Sequence, residues 1–267
     1  METQVPPLIT EMVAIINTGL SCSLGSQEPT PPSQPVNPPA TLAITAASTD
    51  LVKGLLTLDG AFITKGDLTL KLPHHNHGDA VRVTINSARP ILLRQISSAR
   101  NHLLASLDII LQLADAGHGR RDKLLRSPLR RVRENMKSAK AELCRVDDAD
   151  IFPAKKGDAK AFAPDLPDDL VIDLHVIQSN VVVSVHALHY PQSAIPLQFQ
   201  SKILGKFKSA KLATYEGKQV EILDTVIVEA TAPRLATLVS SIDTVEALCN
   251  QLMLKLNVAR KSAVVST

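Results

Sequence analysis

The chain is poor in aromatic residues and in cysteine. Aromatic residues make up 3% of its 267 positions and tryptophan is absent, so the core must consist of Leu, Val, Ile and Ala, and few rings remain to stack nucleic-acid bases. The three cysteines, Cys22, Cys144 and Cys249, share no close spacing and suggest neither a disulfide framework nor a zinc site. We therefore expect a reducing compartment, no nucleic-acid partner and no metal.

Long hydrophobic runs are also missing. No apolar stretch approaches the roughly 18 residues that a membrane span requires. The first residues, METQVPPLIT, contain no basic region that leads into a hydrophobic one, so we do not expect a secretory signal. These features predict a cytoplasmic protein.

Motifs for catalysis are absent as well. The sequence has no G-x-S-x-G, G-x-G-x-x-G or phosphate-binding G-x-x-x-x-G-K-[ST] pattern, so we expect neither an enzyme nor a cofactor. The histidines His74, His75 and His77 share one turn, which we interpret as an exposed polar loop rather than a metal site. His175 and His186 could face each other across a predicted hairpin, which alone is weak evidence for a site.

The hydrophobic period switches four times between helical spacing and strand alternation. No block is long enough to form a domain alone, so the simplest solution packs helices with helices and strands with strands. We predict an α+β fold: an elongated two-lobed protein with a helical bundle lobe and an antiparallel β lobe, both discontinuous in sequence.

The predicted segments alternate between the two lobes. The helical lobe comprises a first helix in 1–26, two long helices in 86–146 and a heptad helix in 230–262. The β lobe comprises a first part, 41–85, and a second part with two hairpins, 169–229. A proline-rich linker, 27–40, and a loop, 147–168, connect them.

Boundaries within these segments are predicted from glycine, proline and the apolar period. We expect a break between strands at Gly66-Asp67, a long helix whose stripe begins at Leu92 and ends near Gly117, and a second helix that begins at Ser127-Pro128. Gly19 is a weak point in the first helix.

The last helix carries a heptad seam of apolar residues. Such a seam either dimerises two chains as a leucine zipper or packs inside a bundle, and three other amphipathic helices here need partners. We favour internal packing, and hence a monomer over a zipper homodimer. The seam consists of Leu235, Leu238, Ile242, Val245, Cys249, Leu252 and Leu256.

Positive charge is concentrated in one helix. The segment from Arg120 to Arg145 contains ten Lys/Arg residues and only three acidic residues, whereas the whole chain has a net charge of only +3. This stripe is either a solvated helix face or a surface that binds an acidic protein, anionic lipid or, least favoured, nucleic acid. The candidate partner-binding residues are Arg126, Arg130, Arg133, Lys137 and Lys140.

Four blocks of sequence, in register, resemble the Rogdi family, the leucine zipper proteins that are also the smaller subunit of the fungal RAVE complex. In this chain the blocks span most of residues 50–256. They are VKGLLTLDG with DLTLKLP (52–60 and 67–73), QISSARNH (95–102), FAPDLP followed by DLVI (162–167 and 169–172), and LCNQL (248–252). The family usually has a longer N-terminal helix, so its shorter counterpart here, 5–24, predicts exposed apolar surface in the helical lobe.

The resemblance implies a non-enzymatic assembly factor. Its expected partner is the large β-propeller, rabconnectin-like subunit of the RAVE complex. Through that complex it would act indirectly on the V1 and Vo sectors of the vacuolar proton-transporting ATPase and promote their reassembly. It would be cytoplasmic, with transient association at vacuolar or endosomal membranes. The alternative is a peripheral membrane protein that binds anionic lipid through the basic helix 126–140.

Overall fold

The computed structural model describes residues 5–25, 38–45, 50–115, 122–191 and 211–265. Four long helices lie within these ranges: α1 (Val5–Ser23), α2 (Arg94–Asp115), α3 (Asp122–Cys144) and α4 (Pro233–Val265). None of them combines the length and the apolar character needed to span a bilayer, as far as the described residues go.

The four helices form one bundle in which α1 packs against α2 and α4, and α3 packs against the same two helices. Neighbouring helices are antiparallel. At one end of the bundle Ile9 of α1 shares an apolar pocket with Leu113 of α2 and Leu256 of α4. At the other end Gly19 lies against Leu103 and Leu238.

The heptad seam is buried inside this bundle. All seven of its side chains are at most 5% exposed, because α1 and α3 cover them. The predicted internal packing is therefore confirmed. Gly19 has a packing role, since a Cβ there would come within 2.9 Å of Leu103 Cδ2 and 3.2 Å of Ser241 Cβ.

In the part of the chain that the structure describes, ten strands form two antiparallel sheets. The first sheet has the order β1-β2-β3-β4-β6, with β5 paired to β3, and the second has the order β7-β8-β10-β9. The strands are β1 (Ala40–Thr45), β2 (Val52–Asp59), β3 (Phe62–Leu70), β4 (Val81–Ile85), β5 (Ile91–Leu92), β6 (Phe162–Ala163), β7 (Leu170–Ile177), β8 (Asn180–His189), β9 (Lys211–Tyr215) and β10 (Lys218–Thr231).

The predicted α+β fold is confirmed: helices pack with helices and strands pair with strands. Both predicted hairpins are present, β7–β8 and β9–β10, the second with its turn at Glu216-Gly217. The largest apolar cluster contains residues from the bundle and from both sheets, so the two lobes share a continuous core. Most of the predicted linker 27–40, and the beginning of the β9 segment at 208–210, lie outside the described residues.

One predicted boundary between strands is wrong, and one predicted loop contains a short strand. Gly66 lies inside β3 and does not end a strand. A Cβ at this position would come within 2.7 Å of the side chains of Leu56 and Ile85. Glycine is needed at this position for close packing, not for a turn. Within the predicted loop 147–168, the two residues of β6 pair with Thr84 and Ile85 and extend the first sheet.

Two predicted helix starts are also wrong. Leu92 belongs to β5, and the next residue, Leu93, donates its N–H to the carbonyl of Ala61 (2.8 Å), so α2 begins only after the chain leaves the sheet. Helix α3 begins at Asp122 and contains Pro128 in its interior. Leu125, one turn before Leu129, packs on the core and extends the apolar stripe past the proline.

Candidate partner-binding surface

A joint between the lobes holds the helices in place relative to the second sheet. Gln95, the second residue of α2, accepts the N–H of Val176 (2.7 Å) and donates to the carbonyls of Val176 (2.6 Å) and Arg145 (3.1 Å). Its amide therefore bonds the edge strand β7 as a neighbouring strand would, and it also ties down the end of α3. Beside it, Gln178 donates its backbone N–H to Leu143 (2.7 Å).

Replacing Gln95 tests this joint. In Gln95→Ala the amide and carbonyl of Val176 lose their partner, and we expect the free energy of unfolding to fall by about 1–2 kcal/mol, since water reaches part of the site. Urea titration followed by circular dichroism measures the change. Gln112→Ala, at an exposed position on the same helix, should change it by less than about 0.5 kcal/mol. Equal effects of the two substitutions would argue against a structural joint at Gln95.

Three of the five predicted partner-binding residues lie on the side of α3 that faces α4. They recur every seventh residue, which places them along one seam of the antiparallel helix pair. Arg126 donates from Nη2 to the carbonyl of Leu256 (3.0 Å), and Lys140 donates from Nζ to Asp243 Oδ1 (2.6 Å). The hydrogen bond that Lys140 donates to Asp243 raises the pKa of Lys140. Arg133 is the third of these residues.

Arg133 bonds within its own helix. Its Nη2 donates to Glu134 Oε1 at 2.9 Å, and its Nε is buried without an acceptor among the described residues. The hydrogen bond from Arg133, with smaller contributions from Lys137 and Arg130, lowers the pKa of Glu134. The glutamate is therefore a carboxylate surrounded by cations.

The remaining two predicted residues, Arg130 and Lys137, are exposed on the outer face of α3. The apolar side of the same helix is covered by the bundle, and its central side chains are at most 3% exposed: Leu129, Val132, Met136, Ala139 and Leu143. The structure thus divides the predicted stripe into an internal part and an external part.

The histidine turn is not simply an exposed loop. His74 reaches the second sheet, where its N–H donates to Asp224 Oδ2 and its Nδ1 lies 2.8 Å from Asp224 Oδ1. His75 is buried, with Nε2 3.5 Å from Asp169 Oδ1. The turn thus connects the first sheet to the second, which the sequence does not indicate because the two acids are far along the chain.

His175 and His186 do not face each other across the hairpin. His175 pairs with Val182, and His186 pairs with Val171. His186 stacks on Phe152 with ring centroids 4.4 Å apart, and burial lowers the pKa of both histidines. In the ranges that the structure describes, no group of three or more His, Cys, Asp or Glu side chains could hold a metal ion.

The buried cysteines have the environment of core side chains. Burial raises the pKa of Cys22 and raises that of Cys249, which lies in the heptad seam, to about 12. Their thiols are therefore protonated at neutral pH, whereas reactive cysteines have lowered pKa values.

The fold and this surface define a two-lobed α+β protein whose heptad helix packs within its own bundle and whose α3 carries cations both along the seam with α4 and on its outer face. A family model, the Rogdi leucine zipper containing protein, matches residues 9–257. The chain belongs to this family.

Curated relatives match at modest identity. The chain is 27% identical to "Protein rogdi homolog" of Homo sapiens over 158 residues, which cover 54% of this chain and 50% of the relative. It is 25% identical to "Protein rogdi" of Drosophila melanogaster over 146 residues, 54% of each chain. In these alignments the chain spans about half the length of the curated relatives it matches.

Proposed function

We propose that this chain is a non-enzymatic assembly factor that acts as the Rogdi-type subunit of a RAVE complex. In that role it promotes reassembly of the V1 sector with the Vo sector of the vacuolar proton-transporting ATPase. Its direct partner is the large β-propeller, rabconnectin-like subunit, and contact with the two ATPase sectors is indirect. It works in the cytoplasm and associates transiently with vacuolar or endosomal membranes.

One observation carries this proposal: the family match extends over residues 9–257 and so includes both lobes and the joint between them. An adaptor has to hold its partners in a fixed geometry, and two lobes with a shared core suit that task. The heptad seam is buried inside the bundle, so the outer faces of the lobes are the surfaces on which a partner can dock.

Deletion of the gene tests the proposal. We expect deletion cells to acidify their vacuoles poorly and to recruit less V1 to membranes, because sector reassembly slows without the adaptor. Lumenal pH from a ratiometric dye and V1 content of isolated membranes measure the two effects, and re-expression of the full chain is the control. Normal acidification together with normal V1 recruitment would contradict the proposal.

A further inference from the structure

The outer face of α3 presents two cations that the bundle does not use. Arg130 and Lys137 are exposed, and neither forms an ion pair with another residue that the structure describes. Seven residues of helix place them about 10.5 Å apart along the axis. They place two positive charges along one line of the helix surface.

A carboxylate already lies between them. Glu134 is one turn from each cation, and Arg133 holds its Oε1 at 2.9 Å. The lowered pKa of Glu134 has the same origin, since Arg133, Lys137 and Arg130 all favour its charged form. This position therefore accommodates and stabilises a carboxylate.

The bonds to α4 hold in place the helix that carries the exposed pair. On one side of the exposed pair Arg126 is bonded to the carbonyl of Leu256, and on the other side Lys140 is bonded to Asp243. Preorganisation of this kind lowers the entropic cost of binding a partner.

We propose that Arg130 and Lys137, here called the basic ridge, dock an acidic segment of a partner protein whose carboxylates are spaced about 10 Å apart. Glu134 is an internal competitor for the same cations. This inference deepens the proposed adaptor role and rests on it only for the physiological partner.

The geometry favours an acidic protein over a lipid surface. A helix that lies on a membrane inserts apolar side chains next to its cations, but the apolar stripe of α3 is buried in the bundle. Nucleic acid is also disfavoured, because α3 contains no aromatic residue on which a base could stack.

Peptide binding to the full chain tests the proposal. The probe is a fluorescent Ala/Gln-based peptide of about 16 residues with glutamates seven positions apart, and its anisotropy reports the Kd at two salt concentrations. We expect Arg130→Glu with Lys137→Glu to weaken binding about tenfold, and Glu134→Gln to tighten it about threefold, since the competitor loses its charge.

Two controls decide the outcome. Lys65→Glu with Lys71→Glu makes the same change of charge at exposed positions of the first sheet, and should alter the Kd less than about twofold. A peptide of the same composition with shuffled glutamates should bind more weakly. Equal losses from both double variants, or no tightening in Glu134→Gln, would overturn the proposal.

Vesicles of phosphatidylserine and phosphatidylcholine separate the lipid alternative. If charge reversal at Arg130 and Lys137 abolishes flotation with these vesicles and leaves peptide binding unchanged, the ridge binds lipid and the proposal fails. The result is independent of the deletion experiment. Loss of peptide binding as expected, combined with normal acidification in deletion cells, would remove the ATPase role and leave the basic ridge as an acidic-peptide site.

Discussion

Leu238→Ala should lower the free energy of unfolding by about 2–5 kcal/mol. Leu238 is fully buried in the heptad seam of α4, next to Gly19 of α1. Truncation leaves a cavity between helices that are bonded to other elements and cannot close together. Chemical denaturation measures the loss, and thermal unfolding should show a lower Tm.

The matched control uses the same substitution in the same helix. Leu254 is 65% exposed, so Leu254→Ala should cost less than about 0.5 kcal/mol. Because the seam is internal, Leu238→Ala should not halve the sedimenting mass. A smaller mass with an unchanged Tm would show that the seam joins two chains, which contradicts the packing described above.

Gly54→Ala should lower the free energy of unfolding by about 3 kcal/mol, although it adds only one methyl group to the first sheet. Gly54 lies in β2 opposite Leu68 of β3, and a Cβ there would overlap the carbonyl oxygen of Asp67. Neither strand can move away without breaking the ladder between them. The same denaturation measurement applies, and loss of β signal in the circular dichroism spectrum should accompany it.

A second glycine separates steric overlap from backbone strain. Gly217, in the β9–β10 turn, has φ of 74°, and nothing lies within 4 Å of a Cβ built on it. Gly217→Ala should therefore lower the free energy of unfolding by about 1 kcal/mol, since alanine disfavours the left-handed backbone conformation and meets no steric overlap. If Gly54→Ala proved no more harmful than Gly217→Ala, the close approach of β2 and β3 would not be the cause.

Much of the fold is predictable because the spacing of apolar residues along the sequence matches the buried face of each helix or strand. The stripes of α1, α2 and α4 and the alternation in β1 and in the last part of β10 each reflect one face in contact with a core, and the predicted assignment of segments to lobes follows from them. The heptad seam is a clear case. The other three helices also carry apolar stripes, so internal packing could be predicted for Leu238 without coordinates.

The errors have a common cause in tertiary contacts. Gly66 and Pro128 have strong local preferences for ending an element, but the packing of Ile85 and Leu125 outweighs them. Gln95 and Asp224 have no local signal at all, because their bonds join segments about 80 and 150 residues apart. In the basic stripe, the seven-residue spacing of Arg126, Arg133 and Lys140 could have indicated a helix seam.

The bundle closes only when α4 enters between α1 and α3, and roughly 210 residues separate the end of α1 from the start of α4. During synthesis the apolar side chains of the first three helices therefore stay exposed to solvent until both sheets and then α4 have been synthesised. The helical bundle should therefore form only after α4 has been synthesised, and its folding should depend on chaperones. Chains truncated before residue 233 should aggregate and should not form a smaller functional protein.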